Sequence, residues 1–108
     1  MDISDWRKKI DEIDRKLVEL VNQRAHAARE IGRLKRGMQA PIYEPEREKD
    51  IFENICRLNQ GPLENRELIQ IYERIIDVMR NLQKFEREKA AAQDGPAGNT
   101  ELEAELND

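Results

Sequence analysis

The chain has 108 residues and a net charge of −4; 39% of its residues are charged and 5% are aromatic, with only five glycines and four prolines. This composition suits long solvated helices better than a sheet, and the length limits the chain to one small domain with a small core. No segment is apolar enough to cross a bilayer, and the N-terminus lacks the basic start and apolar run of a secretory signal. We therefore expect a cytoplasmic protein without membrane contact.

The first predicted helix begins at Ser4 or Asp5 and ends near Arg36, with Gly37 as its stop. Its apolar residues alternate at spacings of three and four, with one interruption between Leu20 and Ala27, which is typical of one buried helical face: Ile3, Trp6, Ile10, Ile13, Leu17, Leu20, Ala27, Ile31 and Leu34. Such a helix is about 50 Å long, whereas a small domain is about 30 Å wide. Because one chain cannot cover this face, we expect an intertwined homodimer.

Two shorter helices follow. A proline-marked loop leads to Pro45, which suits the first turn of the second helix, and Gly61 with the proline after it ends that helix. The third helix starts near Asn65 and carries a wide apolar stripe that Gln83 extends. Gly32, inside the first helix, costs some helicity and indicates a close approach of another element. The sequence therefore predicts an all-α fold of three helices per chain.

The charges divide the chain into two parts. Residues 90–108 contain five acidic and no basic side chains, whereas the preceding residues contain 19 basic and 18 acidic ones. The tail has too little apolar content to offset its ordering entropy, so we expect residues 1–89 to form the helical domain and residues 90–108 a flexible acidic tail. A nearly neutral body also argues against binding to nucleic acid.

Several cations lie on or beside the predicted apolar faces. Arg24 interrupts the face of the first helix, and burying an unpaired cation there is costly unless it reaches water or an anion. Lys35 is about three turns further on, so both long side chains can reach one small dianion. Arg7 lies about 25 Å from Arg24 along the same helix, so one chain does not easily bring both to one ligand, whereas an antiparallel partner chain can.

The rest of this predicted pocket consists of Arg47 and Glu48, in the first turns of the second helix, and Gln83 on the third. The single histidine, His26, has no partners at the spacing of a zinc site or a catalytic triad, and Cys56 is the only cysteine. The scattered glycines form no phosphate-binding loop. We therefore expect no metal and no cofactor, but a set of side chains that binds carboxylates and polarises an oxygen.

In order and spacing, these residues resemble the all-helical chorismate mutases. The resemblance covers nearly all of residues 3–87, and it rests on the segments 6–10, 31–35 and 44–48 together with Asp14, Arg24, Ile75, Ile76 and Gln83. Each motif alone is weak, because arginine and lysine are common on helices. Their joint order is specific.

The resemblance implies an intramolecular rearrangement of chorismate to prephenate, in phenylalanine and tyrosine biosynthesis. Arg7 from one subunit and Arg24 from the other would bind the two substrate carboxylates and select the compact conformer. Lys35 and Gln83 would then stabilise the negative charge that grows on the ether oxygen.

Four further residues are implied in substrate binding. Glu48 would accept a hydrogen bond from the ring hydroxyl, and Arg47 would hold that carboxylate. Glu44 stands where many relatives have an aspartate. The family's contact with the substrate at this position is largely through the backbone, so little would be lost. Met79 stands where some relatives have a small polar residue that touches a carboxylate, so one hydrogen bond would be missing here.

Less specific interpretations remain open. Arg24 would also fit a position that sets dimer register, and Lys35 a position that neutralises a helix end. Isochorismate pyruvate lyases resemble this chain throughout and would differ in their product. A non-catalytic helical dimer, regulating or tethered to a shikimate-pathway enzyme, is the more distant alternative.

Overall fold

The structure, a computed structural model, describes residues 1–93. This part contains three helices: α1 (Ile3–Met38), α2 (Pro45–Leu58) and α3 (Asn65–Gln93). The predicted all-α class, the number of helices and the length of the first one are confirmed. None of these helices combines the length and apolarity needed to span a membrane. Most of the predicted acidic tail, residues 94–108, lies outside the described residues, so the division at residue 89 stays a prediction.

Both predicted ends of α1 were slightly wrong. The N-cap is Asp2 rather than Ser4 or Asp5: its Oδ1 accepts from the Asp5 backbone N–H at 3.0 Å, and Asp5 Oδ2 accepts from the Asp2 N–H at 3.1 Å. This reciprocal pair satisfies two backbone donors at once, which a single cap would not. The helix then continues through Gly37 and ends at Met38, because Gln39 takes the left-handed conformation with a φ of 52°.

The short helix α2 begins where the sequence predicted. Pro45 occupies its first turn together with Glu46 and Glu48, and these carboxylates complement the positive end of the helix. The connection to α3 is closed by the Asn59 side chain, which donates to the Leu63 carbonyl oxygen at 2.9 Å and to Asn65 Oδ1 at 2.8 Å. α3 therefore starts at the predicted Asn65.

The central element is α3, which packs against both α1 and α2, whereas the described residues of α1 and α2 do not approach each other closely. The buried apolar residues are few: Ala28 on α1, Ile55 on α2, and Ile76 and Met79 on α3. The expected close approach at Gly32 is confirmed. A Cβ atom added there would lie 2.8 Å from the Gln83 carbonyl oxygen.

The N-terminal part of α1 extends beyond this packing. Every residue from Met1 to Gln23 is exposed, and the molecule measures 60 Å along its longest axis and 16 Å along its shortest. The exposed residues include the predicted apolar face, with Trp6 56%, Ile10 54%, Leu17 51% and Leu20 59% accessible. The described part of the chain therefore leaves a long apolar helix face uncovered, as the sequence predicted.

One carboxylate lies buried between α1 and α3. Glu86 accepts from Arg29 Nε at 2.8 Å and from Arg33 Nε at 3.3 Å, and only 6% of its side chain is exposed. Burial alone would raise the pKa of Glu86, but the hydrogen bonds and charges of Arg29 and Arg33 outweigh it and hold the pKa below its usual value. This cluster fixes α3 against α1 one turn beyond Gln83.

Gly32→Ala should lower the free energy of unfolding by about 1–3 kcal/mol, because the new methyl group would push against the Gln83 backbone. Gly37→Ala is the matched control. Nothing lies within 4 Å of its added Cβ, so the better helix propensity of alanine should stabilise by about 0.5–1 kcal/mol. Urea unfolding at one protein concentration measures both. Equal stabilisation by the two substitutions would contradict the close contact.

Glu86→Gln should destabilise the protein by about 1–2 kcal/mol at neutral pH, since glutamine has no negative charge and only one oxygen left to accept from the two arginines. Because the pKa of Glu86 is lowered, its carboxylate stabilises the fold fully at a pH above the ordinary glutamate pKa of about 4.3. This stabilisation is lost as the pH falls through the lowered pKa. The difference in Tm between wild type and variant should thus close on acidification from pH 7 to pH 3. Exposed Glu73→Gln, on the same helix, should change Tm little at any pH. A Tm difference for Glu86→Gln that is independent of pH would be inconsistent with this account.

Candidate functional site

A cavity of about 390 Å³ lies between the C-terminal half of α1, the start of α2 and the middle of α3. Its size is within the usual range for small-molecule sites. Apolar side chains form part of the wall: Ala27, Ala28, Ile31, Ile42, Ile51, Ile76 and Met79. The polar part consists of Arg24, Lys35, Glu44, Arg47, Glu48, Arg80 and Gln83.

Lys35 joins the three walls of the cavity. Its ammonium group lies 3.2 Å from Gln83 Oε1 on α3 and 2.5 Å from Glu44 Oε1 at the start of α2, and only 11% of the side chain is exposed. An ammonium group only donates, so the Gln83 amide must turn its oxygen to Lys35 and keep Nε2 as a donor for another group. The close approach at Gly32 allows this contact, since Gly32 packs on the Gln83 backbone one turn before Lys35.

Glu48 is held by an arginine of α3. Arg80 Nη2 lies 2.7 Å from Glu48 Oε1 and 2.6 Å from Oε2, and Nε lies 3.2 Å from Oε2. The hydrogen bond to Glu48 is the main cause that raises the pKa of Arg80; burial opposes it, and the charges of Glu48 and Asp77 add to it. Arg80 therefore stays a cation. Its guanidinium carbon also lies 5.0 Å from the centroid of the Tyr43 ring.

Two further cations of the cavity have no counter-charge. Arg24 is half-buried and Arg47 is exposed, and neither forms an ion pair with any residue in the described range 1–93. In total, four cations and two carboxylates line the cavity, which gives it a net charge of +2. The cavity is thus suited to a small molecule with two negative charges.

The structure brings the predicted site residues together with one exception. Arg24, Lys35, Glu44, Arg47, Glu48, Met79 and Gln83 all line the cavity. Arg7 lies on the exposed part of α1 and is not among the lining residues. Within one chain it therefore lies outside the cavity, and its expected contribution to a partner's site stays a prediction.

One cavity residue, Arg80, was missed by the sequence analysis. Glu48 was expected to pair with Arg47, its neighbour in sequence, but the structure pairs it with Arg80 instead. The available signal was its position: Arg80 follows the buried Met79 directly and lies one turn before Gln83. Within residues 1–93, no group of three or more histidine, cysteine or acidic side chains is placed to hold a metal ion.

Comparisons with known proteins agree on one family. The family model described as "Chorismate mutase type II" matches residues 6–84. A bifunctional chorismate mutase/prephenate dehydratase of Aquifex aeolicus is 40% identical over 87 residues, which are 77% of this chain and 24% of that protein. A chorismate mutase of Methanocaldococcus jannaschii is 35% identical over 83 residues, covering 76% of this chain and 84% of the relative. The chain thus spans about a quarter of the length of its bifunctional relative, but most of the length of the other.

Solved structures of the same fold are also similar. Chorismate mutase (Form II) from Thermus thermophilus superposes with a TM-score of 0.74 at 27% identity, over 76% of this chain and 93% of that one. Chorismate mutase from Helicobacter pylori, solved in complex with prephenate, gives a TM-score of 0.74 at 25% identity, over 81% of this chain and 94% of that one.

Proposed function

The chain belongs to the chorismate mutase type II family, and on that premise we propose that it converts chorismate to prephenate in aromatic amino acid biosynthesis. The single observation that supports this most directly is the net charge of +2 around a cavity of about 390 Å³. Chorismate carries two carboxylates, and its rearrangement needs no nucleophile, metal or cofactor from the protein.

The arginines are the proposed binding groups for the two substrate carboxylates. Arg24 has no counter-charge in the described chain and would bind one substrate carboxylate, while Arg7 of the partner subunit would bind the other. Holding both would select the conformer in which the reacting ends meet. Arg47, at the exposed side of the cavity, would attract the negatively charged substrate and lie close to its ring.

The electrostatic step is assigned to Lys35 and Gln83. Negative charge grows on the ether oxygen as the carbon–oxygen bond breaks, and donors that are already oriented stabilise it without reorganisation. Lys35 retains a third N–H beyond its contacts to Gln83 and Glu44, and Gln83 retains Nε2. Both donors face one cavity. Glu48 would accept from the ring hydroxyl, and Glu44 would hold Lys35 in place.

We further propose that the active unit is a homodimer with shared sites. The uncovered apolar face of α1, from Ile3 to Leu20, needs a cover, and a second copy arranged antiparallel supplies the same face in return. The same arrangement would carry Arg7 to the other chain's cavity. A cytoplasmic location and a shikimate-pathway enzyme as a partner stay predictions; the bifunctional relative, by its name, combines the mutase with a prephenate dehydratase.

The test of this function is to supply chorismate and isochorismate separately and to identify the products. We expect prephenate from chorismate and no pyruvate release from isochorismate. Lys35→Ala should lower kcat for chorismate by about 10²- to 10³-fold, the usual cost of removing one transition-state donor. The control is Lys49→Ala, since Lys49 is an exposed lysine on α2 outside the cavity; it should keep wild-type kcat.

Two results would contradict the proposal. Pyruvate and salicylate from isochorismate, with chorismate unchanged, would indicate the lyase. A protein that leaves both compounds at their spontaneous rates, with no further effect of Lys35→Ala, would indicate the non-catalytic helical dimer.

A further inference from the structure

We propose that Arg80 is a positioning residue of this site, which acts on the reaction by holding the Glu48 carboxylate toward the cavity. This inference rests on the proposed mutase activity, in which Glu48 accepts a hydrogen bond from the ring hydroxyl of the substrate. Arg80 lines the same cavity from α3.

Two nitrogens of Arg80 contact the Glu48 carboxylate. Nη2 of Arg80 lies within hydrogen-bond distance of both Glu48 oxygens, at 2.7 and 2.6 Å, and Nε reaches Oε2 at 3.2 Å. A planar guanidinium that binds through two nitrogens sets both the position and the plane of a carboxylate, which a single ammonium would not. These contacts therefore hold the Glu48 carboxylate in one orientation.

Arg80 is itself held from other sides. Its Nη1 lies 3.4 Å from Asp77 Oδ1, one turn earlier on α3, and its guanidinium carbon lies 5.0 Å from the Tyr43 ring centroid. Tyr43 belongs to the loop directly before α2. One guanidinium thus connects this loop, the first turns of α2 and the wall of α3 that carries Gln83.

A purely structural role does not account for this pair. The helices α2 and α3 are already in contact, and Ile55 on α2 and Ile76 and Met79 on α3 are buried. The side chains of Arg80 and Glu48 are 32% and 20% exposed, and ion pairs with such access to water contribute little to stability. The charge of Arg80 has a clearer use in the site. Without it, the negative Glu48 would stand beside a dianionic substrate with no cation bound to it.

The experiment is a double-mutant cycle on kcat/KM for chorismate, with wild type, Arg80→Met, Glu48→Gln and the double variant. Arg80→Met should lower kcat/KM by about ten- to a hundredfold, the range for one charge-assisted hydrogen bond, and should have almost no further effect once Glu48→Gln is present. Arg80→Lys should recover part of the loss, because an ammonium keeps the charge but not the two-pronged contact.

Arg74→Met is the matched control, since Arg74 is an exposed arginine on α3 that lies outside the cavity. It should keep wild-type kcat/KM, and thermal unfolding should show Arg80→Met within a few degrees of it.

The outcomes separate the two proposals. A wild-type protein that forms no prephenate overturns the proposed function, and the role of Arg80 with it. Active wild type with an equally active Arg80→Met overturns the role of Arg80 alone. So does a loss of the same size in the Glu48→Gln background, since Arg80 would then act independently of Glu48.

Discussion

The length of α1 is the constraint on which the rest of the structure depends. The helix has 36 residues, but α3 covers it only from Arg24 onward. In the single chain the earlier turns of α1 have an exposed apolar face, with Trp6 and Leu17 more than half exposed. Because burial of apolar surface is the main favourable term in association, this face is the part of the molecule with most to gain from a second copy. The proposed dimer thus links stability to function: the same turns that need a cover also carry Arg7.

The four cations of the cavity fall into two pairs, one with protein partners and one without a counter-charge in the described chain. Lys35 and Arg80 are already paired, with Gln83 and Glu44 in one case and Glu48 in the other, so they determine where acceptors and donors stand. Arg24 and Arg47 have no counter-charge in the described chain and are available to an incoming anion. In the proposed mechanism, the paired cations would orient donors and acceptors for the transition state, and the unpaired ones would bind the substrate.

The sequence predicted the features that depend on local patterns. Apolar periodicity indicated the three helices, and Gly32 indicated the close contact, because both signals lie within single elements. The helix ends were harder to place, since Asp2, Ser4 and Asp5 are all good caps within one turn and neighbouring residues decide among them. Arg80 was missed despite its position one turn before Gln83, because an arginine on an amphipathic helix normally faces water and its partner, Glu48, belongs to a different helix. The position of Arg7 depends on a second chain, which lies beyond local patterns altogether.

The central claim is that each active site takes its residues from two chains. Subunit complementation tests it most directly: Arg7→Ala and Lys35→Ala proteins, each nearly inactive, are mixed, unfolded, refolded together and assayed with chorismate. If Arg7 serves the partner's cavity, every mixed dimer has one intact and one doubly damaged site, and the mixture should regain about a quarter of wild-type activity. If the mixture stays as inactive as either variant alone, the shared site is contradicted.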